Sequence, residues 1–221
     1  MKQLSRRLCL SAAVLGPLGS FLPGPAAAGP TPCAGGLSGI LKPFAKLKGF
    51  SVDFVEEKRI ALLRKPLVNT GSIVFKAPHQ LVRRVDAPQP SAIWIKPGQV
   101  RIRDASGERN LDVTRWGPAN VLIQSFLYVL SGDAESLRKH YRIEDSCEGG
   151  VWKLKLTPRA PELAKILRHL VIVGHGATPE SLELLDGSGD LSVTRFTGLN
   201  TQARFNEAQL KKFFKATRAK P

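Results

Sequence analysis

The sequence predicts a mainly β fold, an antiparallel sandwich or barrel whose curved sheet is plugged by helices on its concave side. Three observations carry this reading. Short segments of alternating apolar and polar residues recur along the chain between Pro, Gly and Ser turns, the pattern of antiparallel β architecture. One mid-chain segment breaks the alternation and is apolar almost all round at helical spacing. Beyond the N-terminal leader no stretch approaches the roughly 20 apolar residues that a spanning helix needs.

The elements follow in order. Met1 to Ala28 reads as a cleaved secretory signal: Lys2, Arg6 and Arg7 start it, Leu8 to Leu22 carries no charge, and Ala26-Ala27-Ala28 offers small residues for cleavage. Gly16, Pro17 and Gly19 interrupt the apolar stretch and argue against a membrane anchor, while Thr31-Pro32 before Cys33 is not a lipobox. Residues 29–221 are expected to form a single domain, large enough at about 190 residues for a sizeable core. A Pro/Gly-rich arm, Gly29 to Gly36, leads into an amphipathic helix over Leu37 to Lys48 that Pro43 kinks or shortens. Strands are predicted at Phe50–Phe54, Ser72–Lys76, Leu81–Val85, Ala92–Lys96, Val100–Arg103 and Leu111–Thr114. A second run comprises Tyr141–Glu144, Trp152–Leu156, Leu167–Val173, Ser181–Leu185 and Leu191–Phe196. Between the runs, Gly117-Pro118 opens and Gly132 closes the apolar helix Ala119–Ser131, and Asp133 caps a more polar helical turn to His140.

Charge and cysteine content narrow the function. The chain has 33 basic and 18 acidic residues, and without Lys2, Arg6 and Arg7 it is still +12. Export removes nucleic acid as the expected partner and leaves anionic lipid headgroups or plain solubility as readings of that charge. Cys9 leaves with the signal, so Cys33 and Cys147 are the mature cysteines; an oxidising compartment favours a disulfide between them over two free thiols.

Motifs for catalysis are missing. Ser38 does not sit in a Gly-x-Ser-x-Gly elbow, and His79, His140, His169 and His175 lack metal-ligand spacing. Asp186-Gly187-Ser188-Gly189-Asp190 lacks the downstream glutamate of a calcium loop and reads as a tight turn. Glu56 and Glu57 are adjacent and so face opposite sides of a strand. No catalytic residue, cofactor or metal is expected, and the chain reads as a binder.

In this order of elements the chain resembles the LolA family of periplasmic lipoprotein carriers. The resemblance covers Leu37 to Phe214 and rests on Phe50-x-Val52-x-Phe54, Gly71-Ser72-Ile73-Val74-Phe75-Lys76-x-Pro78, Asp86-Ala87-Pro88, the Pro97-Gly98 turn, Pro118 with its helix, and Leu154-x-Leu156-Thr157-Pro158. It implies an unclosed antiparallel β-barrel with an α-helical lid, whose hydrophobic cavity takes up a lipid or the acyl chains of a lipoprotein and shuttles it from inner towards outer membrane. It further implies a monomer that meets acylated cargo, an inner-membrane exporter, an outer-membrane acceptor and, transiently, the membrane. The strand alternation turns Phe50, Val52, Phe54, Ile73, Phe75, Leu81, Val85, Trp152, Leu154 and Leu156 inward as ligand-binding residues, with Leu122, Ile123, Phe126, Leu127 and Leu130 as the lid. Two departures, Ala77 where the family usually has an arginine and Val100-Arg101-Ile102-Arg103 in place of a Trp/Tyr-rich strand, mark a divergent relative. Competing readings are a periplasmic lipid-sensing regulatory module, which would need a second domain, and a lipid-modifying enzyme.

Arg83 completes the expected ligand-binding set. It shares the inward face with Leu81 and Val85, at a position where the family carries an aromatic residue. A cation among apolar neighbours must find an anion, reach water or destabilise the fold. Two readings follow, an arginine that reaches the cavity rim and a bidentate anchor for a carboxylate or phosphate on the cargo.

Overall fold

The computed structural model describes residues 33–112 and 117–216. The predicted signal, the first half of the Pro/Gly arm (residues 29–32), and Val113 and Thr114 lie outside these residues.

The described chain builds one continuous antiparallel sheet of eleven strands. The first meander contains β1 (Gly49–Arg59), β2 (Leu67–Lys76), β3 (Gln80–Ala87), β4 (Ser91–Lys96), β5 (Gln99–Asp104) and β6 (Gly107–Asp112). The second contains β7 (Tyr141–Glu148), β8 (Val151–Pro158), β9 (Leu167–His175), β10 (Thr178–Asp186) and β11 (Leu191–Asn200). The strand order is β6-β5-β4-β3-β2-β1-β11-β10-β9-β8-β7, so pairing of β1 with β11 joins the meanders. β6 and β7 are the free edges, and the barrel is therefore unclosed.

The chain crosses from one edge to the other through α2 (Pro118–Ser131) and α3 (Ala134–His140). Pro118 opens α2, and Gly132 ends it in the left-handed conformation at φ 75°. A Cβ at Gly132 would lie 2.6 Å from the Ala45 Cβ, so only glycine fits this approach. The C-terminal end of α2 is thus wedged against the N-terminal segment. Asp133 caps α3 by accepting the Ser136 N–H at 2.9 Å. Hydrogen bonds from the Ser136 hydroxyl and then its N–H hold the Asp133 carboxyl below its ordinary range.

Pro43 divides the expected Leu37–Lys48 helix. α1 spans Gly36–Leu41, and a separate 3₁₀ turn spans Phe44–Lys46. Together with α2, α3 and the short α4 (Pro161–Ala164), these pieces cover the concave side of β7–β9. Leu37, Ile40, Leu41, Leu137, Leu163 and Leu167 fill that half as core. Cys33 and Cys147 are disulfide-bonded with Cα atoms 4.8 Å apart, and the Cys33 N–H donates to Asp145 at 3.0 Å. The bridge ties the N-terminal arm to β7.

An element absent from the sequence reading covers the convex side. α5 (Glu207–Lys215) begins with a capping box between Asn206 and Gln209. It buries Leu210 and Phe214 against Val74, Val82, Ala92 and Trp94.

Candidate functional site: an apolar cavity beneath a helix

The concave half over β1–β5 and β9–β11 is not filled by helices, and a cavity of about 540 Å³ remains between the sheet and α2. This lies within the roughly 300–1,000 Å³ typical of small-molecule sites. A smaller cleft of about 170 Å³ near Pro118, His140 and Arg159 falls below that range.

The walls follow from strand register. Val52 pairs with Ile73, Ile73 with Arg83, Arg83 with Ile93, and Ile93 with Ile102, so one row of the wall crosses five strands. In the neighbouring register row, Phe50, Phe75, Leu81, Ile95 and Val100, all but Phe75 line the cavity. On the other side of β1, Phe196, Leu182, Leu184 and Ile172 continue the apolar wall. The roof is α2: Ile123, Phe126, Val129 and Leu130 face the cavity.

The structure separates the expected site residues. Phe50, Val52, Ile73, Leu81 and Arg83 line the cavity, as do Ile123, Phe126 and Leu130 of the helix. Phe54, Phe75 and Val85 share the concave face but are absent from the cavity wall and are buried instead. Phe75 packs on Phe50 with ring centroids 5.3 Å apart. Phe54 lies beneath the Arg83 guanidinium at 4.3 Å and fills the space left by Gly71, its cross-strand partner. Trp152, Leu154 and Leu156 are core beneath the helices on β8, with Trp152 edge-on to Phe44 at 5.9 Å. Of the helix residues, Leu127 is fully buried in the Phe50–Val52–Phe75 cluster and Leu122 packs on the β7–β9 core.

Arg83 finds its anion inside the protein. Its Nη2 donates to Glu56 Oε2 at 2.9 Å, and Asn69 donates to the same oxygen at 2.7 Å. Glu56 faces inward because the Phe50-Val52-Phe54 alternation continues along β1, and Lys58 follows it on the same face. With Ser192, Thr194, Asp186 and Asp190 these residues make one end of the cavity polar. The Asp186 carboxylate accepts the N–H groups of Gly189 and Asp190, each at 3.0 Å, which makes the Asp186–Asp190 segment a tight turn.

α2 is also tied at its middle. Ser125 Oγ donates to the Val121 carbonyl at 2.6 Å and lies 2.8 Å from the Tyr141 hydroxyl on β7. Burial pushes the Tyr141 phenol above its ordinary pKa. Among the described residues no group of three or more His, Cys, Asp and Glu could hold a metal ion, and no helix is long and apolar enough to cross a membrane.

Residues 28–214 match the family model described as outer membrane lipoprotein carrier protein LolA-like. No curated protein matches the sequence significantly. Among solved structures the chain is similar to a LolA superfamily protein from Nitrosomonas europaea, at 12% identity over 77% of this chain and 95% of that one, TM-score 0.40. It is similar to a DUF1329 family protein from Desulfovibrio piger, at 11% identity over 82% and 96%, TM-score 0.48. It is also similar to a chain of the Pseudomonas aeruginosa MucA/MucB complex, at 19% identity over 79% of this chain and 60% of that one, TM-score 0.46.

Proposed function

The chain belongs to the LolA-like family of outer membrane lipoprotein carrier proteins, and from that premise we propose that it is a periplasmic, non-enzymatic carrier of acylated cargo. Its signal, residues 1–28, is removed on export, and the remaining residues work as one domain. The cavity takes up the acyl chains of a lipoprotein or envelope lipid from an inner-membrane exporter and releases them to an outer-membrane acceptor.

The observation that carries this reading is the cavity of about 540 Å³ walled by Val52, Ile73, Ile95 and Ile102 and roofed by Ile123 and Leu130. Each methylene moved from water into such a wall is stabilised by about 0.8 kcal/mol. Polar side chains gather at one end of the cavity, which suits a molecule with an apolar tail and a polar head. α2 serves as the lid, anchored through Leu127 and Gly132 while Ile123 and Phe126 meet the cargo.

Displacement of a fluorescent fatty acid by phospholipids and diacylated peptides tests the proposal. Ile123→Asp and Ile102→Asp place a charge in the partly open wall, not in the filled core, and should weaken probe binding at least tenfold in a folded protein. A folded Ile123→Asp, Ile102→Asp double variant with unchanged affinity removes the cavity from the account. Loaded protein should then give up its probe to acceptor vesicles; retention without transfer favours a lipid-sensing module.

A further inference from the structure

The β1–β2 hairpin tip, residues 60–66, presents apolar side chains that the carrier cavity does not use. Leu62 is 94% exposed and Leu63 50% exposed. Single exposed leucines are ordinary on protein surfaces; here two adjacent ones stand together at a hairpin tip. Ile166, on the link between α4 and β9, is exposed as well.

These residues occupy one end of the molecule. The Ala61 N–H donates to Asp190 at 3.0 Å, which joins the hairpin tip to the β10–β11 turn. The Gly187 N–H of that turn donates to the Ile166 carbonyl at 3.1 Å, which joins the turn to the α4–β9 link. The exposed cations in and beside these segments are Arg64, Lys65, Lys165 and, at the start of β9, Arg168. The nearby acids are largely engaged: Glu57 pairs with Arg59, Asp186 is tied into its own turn, and Asp190 holds Ala61. The result is an apolar tip flanked by cations: Arg64 and Lys65 follow it in the chain, and Lys165 and Arg168 stand on segments linked to it through the β10–β11 turn. Arg168 donates to the Gly187 carbonyl of that turn at 3.3 Å, and Glu162 is the one exposed acid of α4. Lys58, Asp186 and Asp190 also line the polar end of the cavity, so this end of the molecule and that end of the cavity coincide.

We propose that the 60–66 hairpin tip docks on an anionic bilayer surface, with Leu62 and Leu63 entering the headgroup–acyl boundary and Arg64, Lys65, Lys165 and Arg168 facing lipid phosphates. A bilayer accepts a protruding apolar tip without a shaped pocket, and basic side chains beside it meet the negative surface potential. Docking this way brings the polar end of the cavity to the lipid surface, where a cargo headgroup lies. The proposal concerns the outer surface and stands separately from acyl binding inside the cavity.

Vesicle co-sedimentation of the full mature chain tests it, using mixed phosphatidylglycerol–phosphatidylcholine vesicles against phosphatidylcholine alone. The wild type should favour the anionic vesicles and lose that preference in high salt. Leu62→Asp/Leu63→Asp should bind at least roughly tenfold more weakly. Arg64→Gln/Lys65→Gln should lose about thirtyfold on anionic vesicles only. Affinity for the fluorescent fatty acid should be unchanged in both variants, so failure of the cavity reading and failure of membrane docking are separate results. Absence of wild-type binding to anionic vesicles, or equal binding by wild type and both variants, overturns the proposal. So does a wild-type dimer in sedimentation equilibrium that Leu62→Asp/Leu63→Asp dissociates without changing vesicle binding, which would assign the tip to a second copy of the chain.

Discussion

Replacing Glu56 by Leu withdraws the acceptor shared by Arg83 and Asn69, whose contacts are 2.9 and 2.7 Å. The two charged side chains are 25% and 15% exposed for Arg83 and Glu56, neither free in water nor sealed from it. Breaking a fully buried ion pair costs about 3–5 kcal/mol, and an exposed pair is worth about 0–1 kcal/mol. The single variants Glu56→Leu and Arg83→Leu should therefore each destabilise by about 2 kcal/mol. Arg83→Leu also uncovers the Phe54 ring now 4.3 Å beneath the guanidinium. The double variant turns the spot into apolar wall and should lose no more than either single change, giving a coupling of about 2 kcal/mol. Urea unfolding of the four proteins measures this cycle. Additive losses, with coupling below about 0.5 kcal/mol, would refute the claim that the pair acts as one unit. Binding gives a second readout: Glu56→Leu frees the guanidinium and should tighten a fatty acid relative to its methyl ester, because the freed cation can then grip the carboxylate.

Other perturbations test the frame around the cavity. Cys33→Ser/Cys147→Ser opens a loop with a sequence separation of 114 and should lower stability by up to about 4–5 kcal/mol in the chain-entropy model, read by calorimetry. Gly71→Ala would put a Cβ 1.9 Å from the Arg84 carbonyl oxygen and 2.9 Å from Phe54; loss of about 3 kcal/mol or more is expected, and a wild-type melting temperature contradicts it. Asp133→Ala removes the α3 cap and should cost about 1 kcal/mol at neutral pH. Because the folded Asp133 carboxyl titrates below its ordinary 3.8, its contribution is present above that pH and disappears as the folded group protonates below it. The wild-type and Asp133→Ala stabilities should accordingly converge in acid.

Much of the frame is legible in the residues, because local alternation and punctuation record which backbone geometry each segment can adopt. Phe50-x-Val52-x-Phe54 marks a strand with one buried face, and Pro118 with Gly132 brackets the helix that forms the roof. The filling of the concave side is less legible. Trp152, Leu154 and Phe75 have the same inward parity as Val52 and Ile73, and only packing by α1, α3 and neighbouring rings makes the former core. Ile93 and Ile95 escape an alternation argument because β4 is apolar on both faces, whereas Ile102 is legible, since β5 alternates Val100-Arg101-Ile102-Arg103. Trp94 lies beneath α5 on the other side, so alternation there is silent. The helix responsible left a readable trace in the Asn206–Gln209 capping box. Glu56 could also have been found, since the inward parity of Phe54 leads directly to it, and an inward arginine on a nearby strand needs such a partner.

Native mass spectrometry of the protein purified from the periplasm tests the central claim most directly. The wild type should carry a distribution of acylated adducts. A variant with the cavity narrowed by Ile102→Trp and Ile123→Trp should retain the fold by circular dichroism and lose those adducts. A bare wild-type mass under conditions that preserve lipid complexes, or adducts undiminished in the narrowed variant, would contradict the claim that this cavity holds the cargo.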